Sequence, residues 1–183
     1  MHRLTLQTIT HTPIAHRIIM QTYMSAQFFT FFLCFPQFNP VTPLCEGDAR
    51  YNSHPTLDDK VHCLVSVIRG DKIGLLSAED VVIEKMRAVR KAASNLDIPQ
   101  VVFMTHVDEC CPLVAKDLKC IYSSKRIKQA VQNCSNKLGV PMNCIFPVKN
   151  YSEENEVNGE VDCLILDALR SAVNFASDFV RDK

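Results

Sequence analysis

The chain has 183 residues, with 20 Lys and Arg against 20 Asp and Glu, so its formal net charge is zero. That length suffices for one domain with a real core. The charge balance argues against a nucleic-acid backbone as the main partner, because phosphate binding needs clustered Lys and Arg.

Residues 1–36 differ from the rest. They hold no Asp or Glu, the first acidic residue being Glu46, and they end in an aromatic run from Phe28 to Phe35. No helical or strand period extends across them, and they read as a poorly ordered extension. The run is shorter than the ~20 apolar residues that cross a bilayer, so no membrane span is expected. A secretory signal needs an early apolar region followed by a small-residue cleavage site, and neither is present. A mitochondrial presequence is the rival reading, since the segment is acidic-poor and carries Arg3 and Arg17, but Pro13 weakens its helix. Residues 37–59 are rich in Pro, Asn and Ser and read as a linker. Residues 60–183 carry a regular pattern and read as the folded part.

Val61–Ile68 is a short β-branched run between Lys60 and Gly70, predicted to be a buried strand. Ser77 opens a helix, with Asp80 three residues on, and Val82, Met86, Val89, Ala93 and Leu96 form its apolar face. Val101–Met104 is a second strand. Pro112 suits the first position of a short helix. A longer helix spans about Ser124 to Leu138, with Ile127, Val131, Cys134 and Leu138 on one face and Gly139 as its cap. Met142–Val148 is a third strand with Pro147 at its end. The last helix covers about Asp162 to Val180, with Ile165, Leu169, Val173 and Ala176 on its face. This order predicts an α/β fold of about three parallel strands joined by crossover helices. Ligands of such sheets bind beyond the carboxyl ends of the strands, where Asp108 and Lys149 both fall.

The second strand runs straight into Thr105-His106-Val107-Asp108. An Asp placed so, after Thr-x-x, can accept two hydrogen bonds from the N1–H and N2–H₂ of guanine, donors that adenine lacks. The plainer reading is that Asp108 caps the turn. No G-x-x-x-x-G-K-[ST] phosphate loop occurs; the five glycines are Gly47, Gly70, Gly74, Gly139 and Gly159. His62 reads as a satisfied core or edge histidine, and Lys149 as a solvated strand-end lysine. The basic cluster Lys116–Lys128 reads as a solvated helix face.

Nine cysteines occur and no C-x-x-C pair among them, which suits a reducing compartment. Cys110 and Cys111 with His106 are the one zinc candidate, but adjacent cysteines suit a tetrahedral ion poorly and no metal is expected.

THVDECCPLVAKDLK at 105–119 and LGVPMNCIFPVKNYSEENE at 138–156 resemble the interferon-induced protein 44 family, 44-like members included. The resemblance runs from near Phe38 to about Phe179. It implies the carboxyl-terminal part of a G-domain-like P-loop NTPase fold, without the strand that carries the phosphate loop. Thr105, His106 and Asp108 take the place of the guanine motif, with His106 where a Lys usually packs on the base. Val148 and Lys149 take the place of the S-A-K element, the Val148 N–H approaching the guanine oxygen and the Lys149 stem flanking the ring. The implied protein is cytoplasmic, interferon-induced and connected with antiviral immune responses. With no phosphate loop and no Mg²⁺ ligand, no catalysis is expected, and GTP or GDP binding is expected to be weak, since phosphoryl transfer rests on positioning around the phosphates. Three functions follow: a fragment without catalysis, an interaction module whose partner docks on an open sheet edge and the acidic loop at 153–156, or a GTP binder whose phosphate site comes from a second chain. A missing phosphate-loop strand leaves Val61–Ile68 as an open edge, which predicts self-association or aggregation.

Overall fold

The computed structural model describes residues 18–24, 27–32, 52–152 and 154–182. Five strands form one sheet: β1 (Ile18–Met24), β2 (Gln27–Phe32), β3 (Cys63–Arg69), β4 (Gln100–Thr105) and β5 (Ile145–Pro147). Their spatial order is β2-β1-β3-β4-β5. The α-helices among the described residues are α1 (Gly70–Ile73), α2 (Val81–Asn95), α3 (Val107–Cys110), α4 (Pro112–Lys116), α5 (Lys125–Leu138) and α6 (Gly159–Arg181).

The three expected parallel strands are β3, β4 and β5, in register Val65↔Val101 and Val102↔Ile145. The expected open edge is corrected. β1 pairs with β3 in parallel, Met20 opposite Val65, and β2 pairs with β1 antiparallel. Both strands lie inside the segment 1–36, where the sequence pattern predicts no period. Their β-branched and aromatic residues suit a sheet, and an apolar strand's free N–H and C=O groups need partners. A neighbour for β3 is therefore present, although β1 is followed by Ser25-Ala26 and then β2, with no glycine-rich turn between them.

Side chains alternate along β4. Val102 and Met104 enter one apolar cluster with Ile68, Ile145, Ile83 and the α5 residues Ile127, Val131, Cys134 and Leu138. Val101 and Phe103 enter another with Cys63, Val65, Ala168, Ala172 and Ala176. Period-two alternation between two covered faces explains why the strands read as continuous apolar runs.

The helices follow the sequence unevenly. In α5 all four expected face residues are buried, Ser124 Oγ accepts the Ile127 N–H at 3.3 Å, and Gly139 closes the helix at φ 71°. Pro112 opens α4 as expected. α2 starts at Val81, not Ser77; Asp80 precedes it and accepts the Ser77 N–H at 2.5 Å. It buries Ile83, Met86 and Ala93, while Val89 is 40% and Leu96 65% exposed, so the expected stripe is displaced around the axis. In α6 the buried face is Val161, Ala168, Ala172 and Ala176, and the expected Val173 is 40% exposed. The third strand is shorter than expected, because Met142–Cys144 form a 3₁₀ turn before β5.

Candidate functional site

β4 and β5 end side by side, Met104 opposite Pro147. The residues proposed from the sequence for a base pocket lie at these ends: Thr105 is the last residue of β4, His106 and Asp108 come after it, and Val148 and Lys149 follow β5. Thr105 is buried, its Oγ1 donates to the Ile68 carbonyl at 3.3 Å, and it meets His106 Nδ1 at 2.9 Å. The Thr105 hydroxyl thus links the Ile68 carbonyl to the His106 ring. His106 adopts the left-handed conformation, φ 58° and ψ 40°. That conformation is uncommon outside glycine and costs of order 1 kcal/mol, which the ring's tie to Thr105 helps offset.

The left-handed step at His106 turns the chain into the single turn α3, which carries Asp108. Asp108 is half-buried. Its carboxylate receives no hydrogen bond from any described residue, and α3 has no side-chain cap. The turn-cap reading of Asp108 is therefore corrected. Among the described residues no group donates to this carboxylate, which lies beyond the carboxyl end of β4.

Two other expectations change. The Val148 N–H donates to the Met104 carbonyl at 2.8 Å, continuing the β4–β5 ladder, and is not free to meet a ligand oxygen. Lys149 is not solvated; only 13% of its side chain is exposed, and its ammonium pairs with Glu154. Glu154 also accepts the Ser152 N–H at 2.9 Å. The hydrogen bond from Lys149, followed by the backbone donors, pulls the Glu154 carboxyl down to about 2. Glu154 thereby leaves the acidic loop at 153–156 with less free charge than the sequence suggests; Glu153 lies outside the described residues. The loop is anchored further by Tyr151, whose hydroxyl donates to Asp162 at 2.8 Å and accepts the Asn158 N–H at 2.8 Å.

The sequence reading missed a polar cluster after β3. Arg69 makes a two-pronged pair with Asp71, both contacts 3.0 Å, and reaches Glu109 of α3 at 2.7 Å. Burial pushes Asp71 up, but Arg69 and Lys72 outweigh it and hold the carboxyl below its ordinary value. The signal was present, since Arg69-Gly70-Asp71 follows a strand end as Thr105–Asp108 does. Gly70 lets the chain pass close there: a Cβ would lie 2.9 Å from Cys110 Sγ and 3.0 Å from Met104 Cγ, so a side chain would have to shift. Burial, then the charges of Asp71, Asp108 and Glu109, push the Cys110 thiol up to about 11. Three carboxylates, Asp71, Asp108 and Glu109, thus share this corner with two cations, Arg69 and Lys72.

Elsewhere, His62 is fully buried and its Nε2 lies 2.9 Å from the Leu57 carbonyl, the satisfied core histidine expected. Lys116, Lys119, Lys125, Arg126 and Lys128 are all exposed. Among the described residues no three His, Cys, Asp or Glu side chains converge as metal ligands, and no helix is long and apolar enough to cross a membrane.

Comparison with known proteins bears out the resemblance. The chain is 30% identical over 152 residues to interferon-induced protein 44-like of Homo sapiens, covering 81% of this chain and 33% of that protein. It is 32% identical over 146 residues to interferon-induced protein 44 of Homo sapiens and 27% identical over 146 residues to that of Mus musculus. Those matches cover 80% of this chain in each case, and 32% and 34% of the relatives. The chain therefore spans about a third of the length of the curated relatives it matches. No family model matches, and no solved structure matches.

Proposed function

We propose that this relative of the interferon-induced protein 44 and 44-like proteins carries a guanine-reading corner on a G-domain-like sheet, without a phosphate cradle of its own. The observation that carries the reading is the Asp108 carboxylate, half-buried beyond the carboxyl end of β4 and without a hydrogen-bond donor among the described residues. Two N–H donors on one edge of guanine match two carboxylate oxygens; adenine offers no such pair. Asp71 and Glu109 are paired with Arg69, which leaves Asp108 as the carboxylate of this corner without a cation partner among the described residues. The Lys149 stem, held in place through Glu154, stands at the neighbouring strand end.

Nothing in the sequence supplies the backbone cradle, the Lys or the Mg²⁺ ligand that hold a triphosphate, so the chain by itself binds nucleotide weakly and does not hydrolyse it. A base alone contributes a few hydrogen bonds against an association cost of several kcal/mol. Its relatives are named interferon-induced, from which we extend an interferon-linked immune role to this chain; a cytoplasmic place rests on nine cysteines that suit a reducing compartment.

The test is a titration of the full chain with labelled GDP, GTP and ATP, with Asp108→Asn beside it. Guanine-selective binding that Asp108→Asn abolishes supports the reading. A folded, monodisperse sample that binds none of the three, or binds ATP equally, overturns it.

A second reading, a protein-contact module, is favoured by Leu166 and Val173, 57% and 40% exposed seven residues apart on α6. Sedimentation of the chain with Leu166→Lys and Val173→Lys checks it. An oligomer dispersed by those changes supports self-association through α6, and a monomer in every case opposes it.

A further inference from the structure

The charge of this chain is balanced overall and unbalanced locally. Between Cys110 and Ser152 the sequence carries seven Lys and Arg and a single acidic residue, Asp117. Three of the seven are engaged: Lys119 pairs with Glu160 at 3.4 Å, Lys149 pairs with Glu154, and the Lys137 ammonium donates to the Ile73 and Leu76 carbonyls. Lys116, Lys125, Arg126 and Lys128 are exposed and form no ion pair among the described residues. The Asp117 carboxylate pairs with none of them; it accepts the Lys119 N–H at 3.0 Å and the Cys120 thiol at 3.7 Å within its own turn.

Two large apolar side chains stand out among these cations. Leu113 is 67% exposed and Tyr122 72%. Leu113 lines an open cleft of about 440 Å³ with Lys125 and Arg126, and Tyr122 adjoins Ser123 of the same lining. Lys116 lies three residues from Leu113 on α4 and Lys128 three from Lys125 on α5, so each pair shares a helix face. The cleft has no free hydroxyl donor: Ser124 Oγ donates to Cys111 Sγ at 3.3 Å, and Ser123 Oγ to the Cys120 carbonyl at 3.0 Å. Cations and apolar tips without convergent hydrogen-bond groups suit an extended anionic surface and not a shaped small molecule.

We propose that this surface, from Leu113 to Lys128, docks on an anionic lipid bilayer. Lys116, Lys125, Arg126 and Lys128 meet the negative headgroups, whose surface potential attracts clustered Lys and Arg. The Leu113 side chain enters the boundary between headgroups and acyl chains, and the Tyr122 ring lies at headgroup level with its hydroxyl in water. Binding is peripheral and reversible, and no helix among the described residues is long and apolar enough to cross a membrane. A nucleic acid would use the same cations but leave Leu113 without a partner, since phosphate contacts come from charged and polar groups. An acidic peptide would need its register fixed by hydrogen-bond donors that the cleft has already committed.

The experiment floats the full chain through a density gradient with phosphatidylcholine vesicles, made with and without phosphatidylserine. The expected result is flotation with the phosphatidylserine vesicles alone, reversed by high salt. Lys125→Gln, Arg126→Gln and Lys128→Gln together weaken the binding by about tenfold or more. Leu113→Ser with Tyr122→Ser weakens it several-fold at unchanged charge. All five side chains are exposed, so circular dichroism and thermal unfolding of both variants match the parent chain. A chain that does not float, floats equally with both vesicles, or is indifferent to either set of substitutions overturns the proposal. Release from phosphatidylserine vesicles by a single-stranded oligonucleotide or an oligoglutamate peptide of no greater total charge also overturns it and assigns the surface to that partner.

Discussion

One face of the sheet packs long aliphatic side chains, and the other packs a helix of alanines. Beneath Ile68, Val102, Met104 and Ile145 lie Ile83 and Met86 of α2 and the Ile127–Leu138 face of α5. Beneath Val65, Val101 and Phe103 lie Ala168, Ala172 and Ala176 of α6, with Phe103 and Phe146 edge to face at 6.4 Å. Large side chains fill the first layer; small ones let α6 lie close on the second. The two layers fail in opposite ways, one by cavities and one by overfilling.

Met104 is fully buried in the first layer. Met104→Ala leaves a cavity there and is expected to cost about 2–5 kcal/mol of unfolding free energy. Ala172→Leu drives a larger side chain against the second layer and is expected to cost about 1–3 kcal/mol. Urea denaturation of both variants checks the contrast; it breaks if Ala172→Leu is neutral. Gly70→Ala comes next, since its Cβ would meet Cys110 Sγ at 2.9 Å and Thr105 O at 3.3 Å. The Cys110 side chain can yield but the Thr105 carbonyl is backbone, so a loss of about 1–2 kcal/mol is expected, and it should also disturb the Asp108 corner, read as altered hydrogen exchange at 105–110. Gly139→Ala forces a side chain into φ 71° and is expected to lower stability by roughly 1 kcal/mol, checked by thermal unfolding.

The smallest effect is electrostatic and compares the site loop with the core. The Glu154 carboxyl lies at about 2 in the folded chain, below its ordinary value, chiefly through Lys149. A depressed folded value adds stability above the ordinary carboxylate range, and that contribution is lost as pH falls towards about 2. Glu154→Gln should flatten stability against pH in that window and leave neutral-pH core protection unchanged. An unaltered acid profile would mean that the Lys149–Glu154 pair does not persist in solution.

The base corner was partly legible. An Asp after a buried strand is a local pattern, so Asp108, Thr105 and Lys149 could be placed at strand ends before any geometry was known. The use of the Val148 N–H by Met104 was not legible, because a ladder bond depends on how two strands lie in register. The Arg69 bridge to Glu109 joins residues 40 apart, and its partners meet only once β3 and β4 are paired.

Sequence alone determined the alternation of strands and helices, the apolar face of α5, its Ser124 start and its Gly139 end. These features rest on periodicity and on backbone preferences that act within one turn or strand. Tertiary structure decided the rest. On α2 and α6 the expected stripe is buried only in part: Met86, Ala93 and Ala176 face in as expected, but Val89 and Val173 face out while Ile83, Ala168 and Ala172 face in, because the fit against the sheet sets the rotation of each helix. The neighbour of β3 was likewise settled by pairing across more than 40 intervening residues, since an apolar strand satisfies its backbone with whichever extended segment the chain can bring to it.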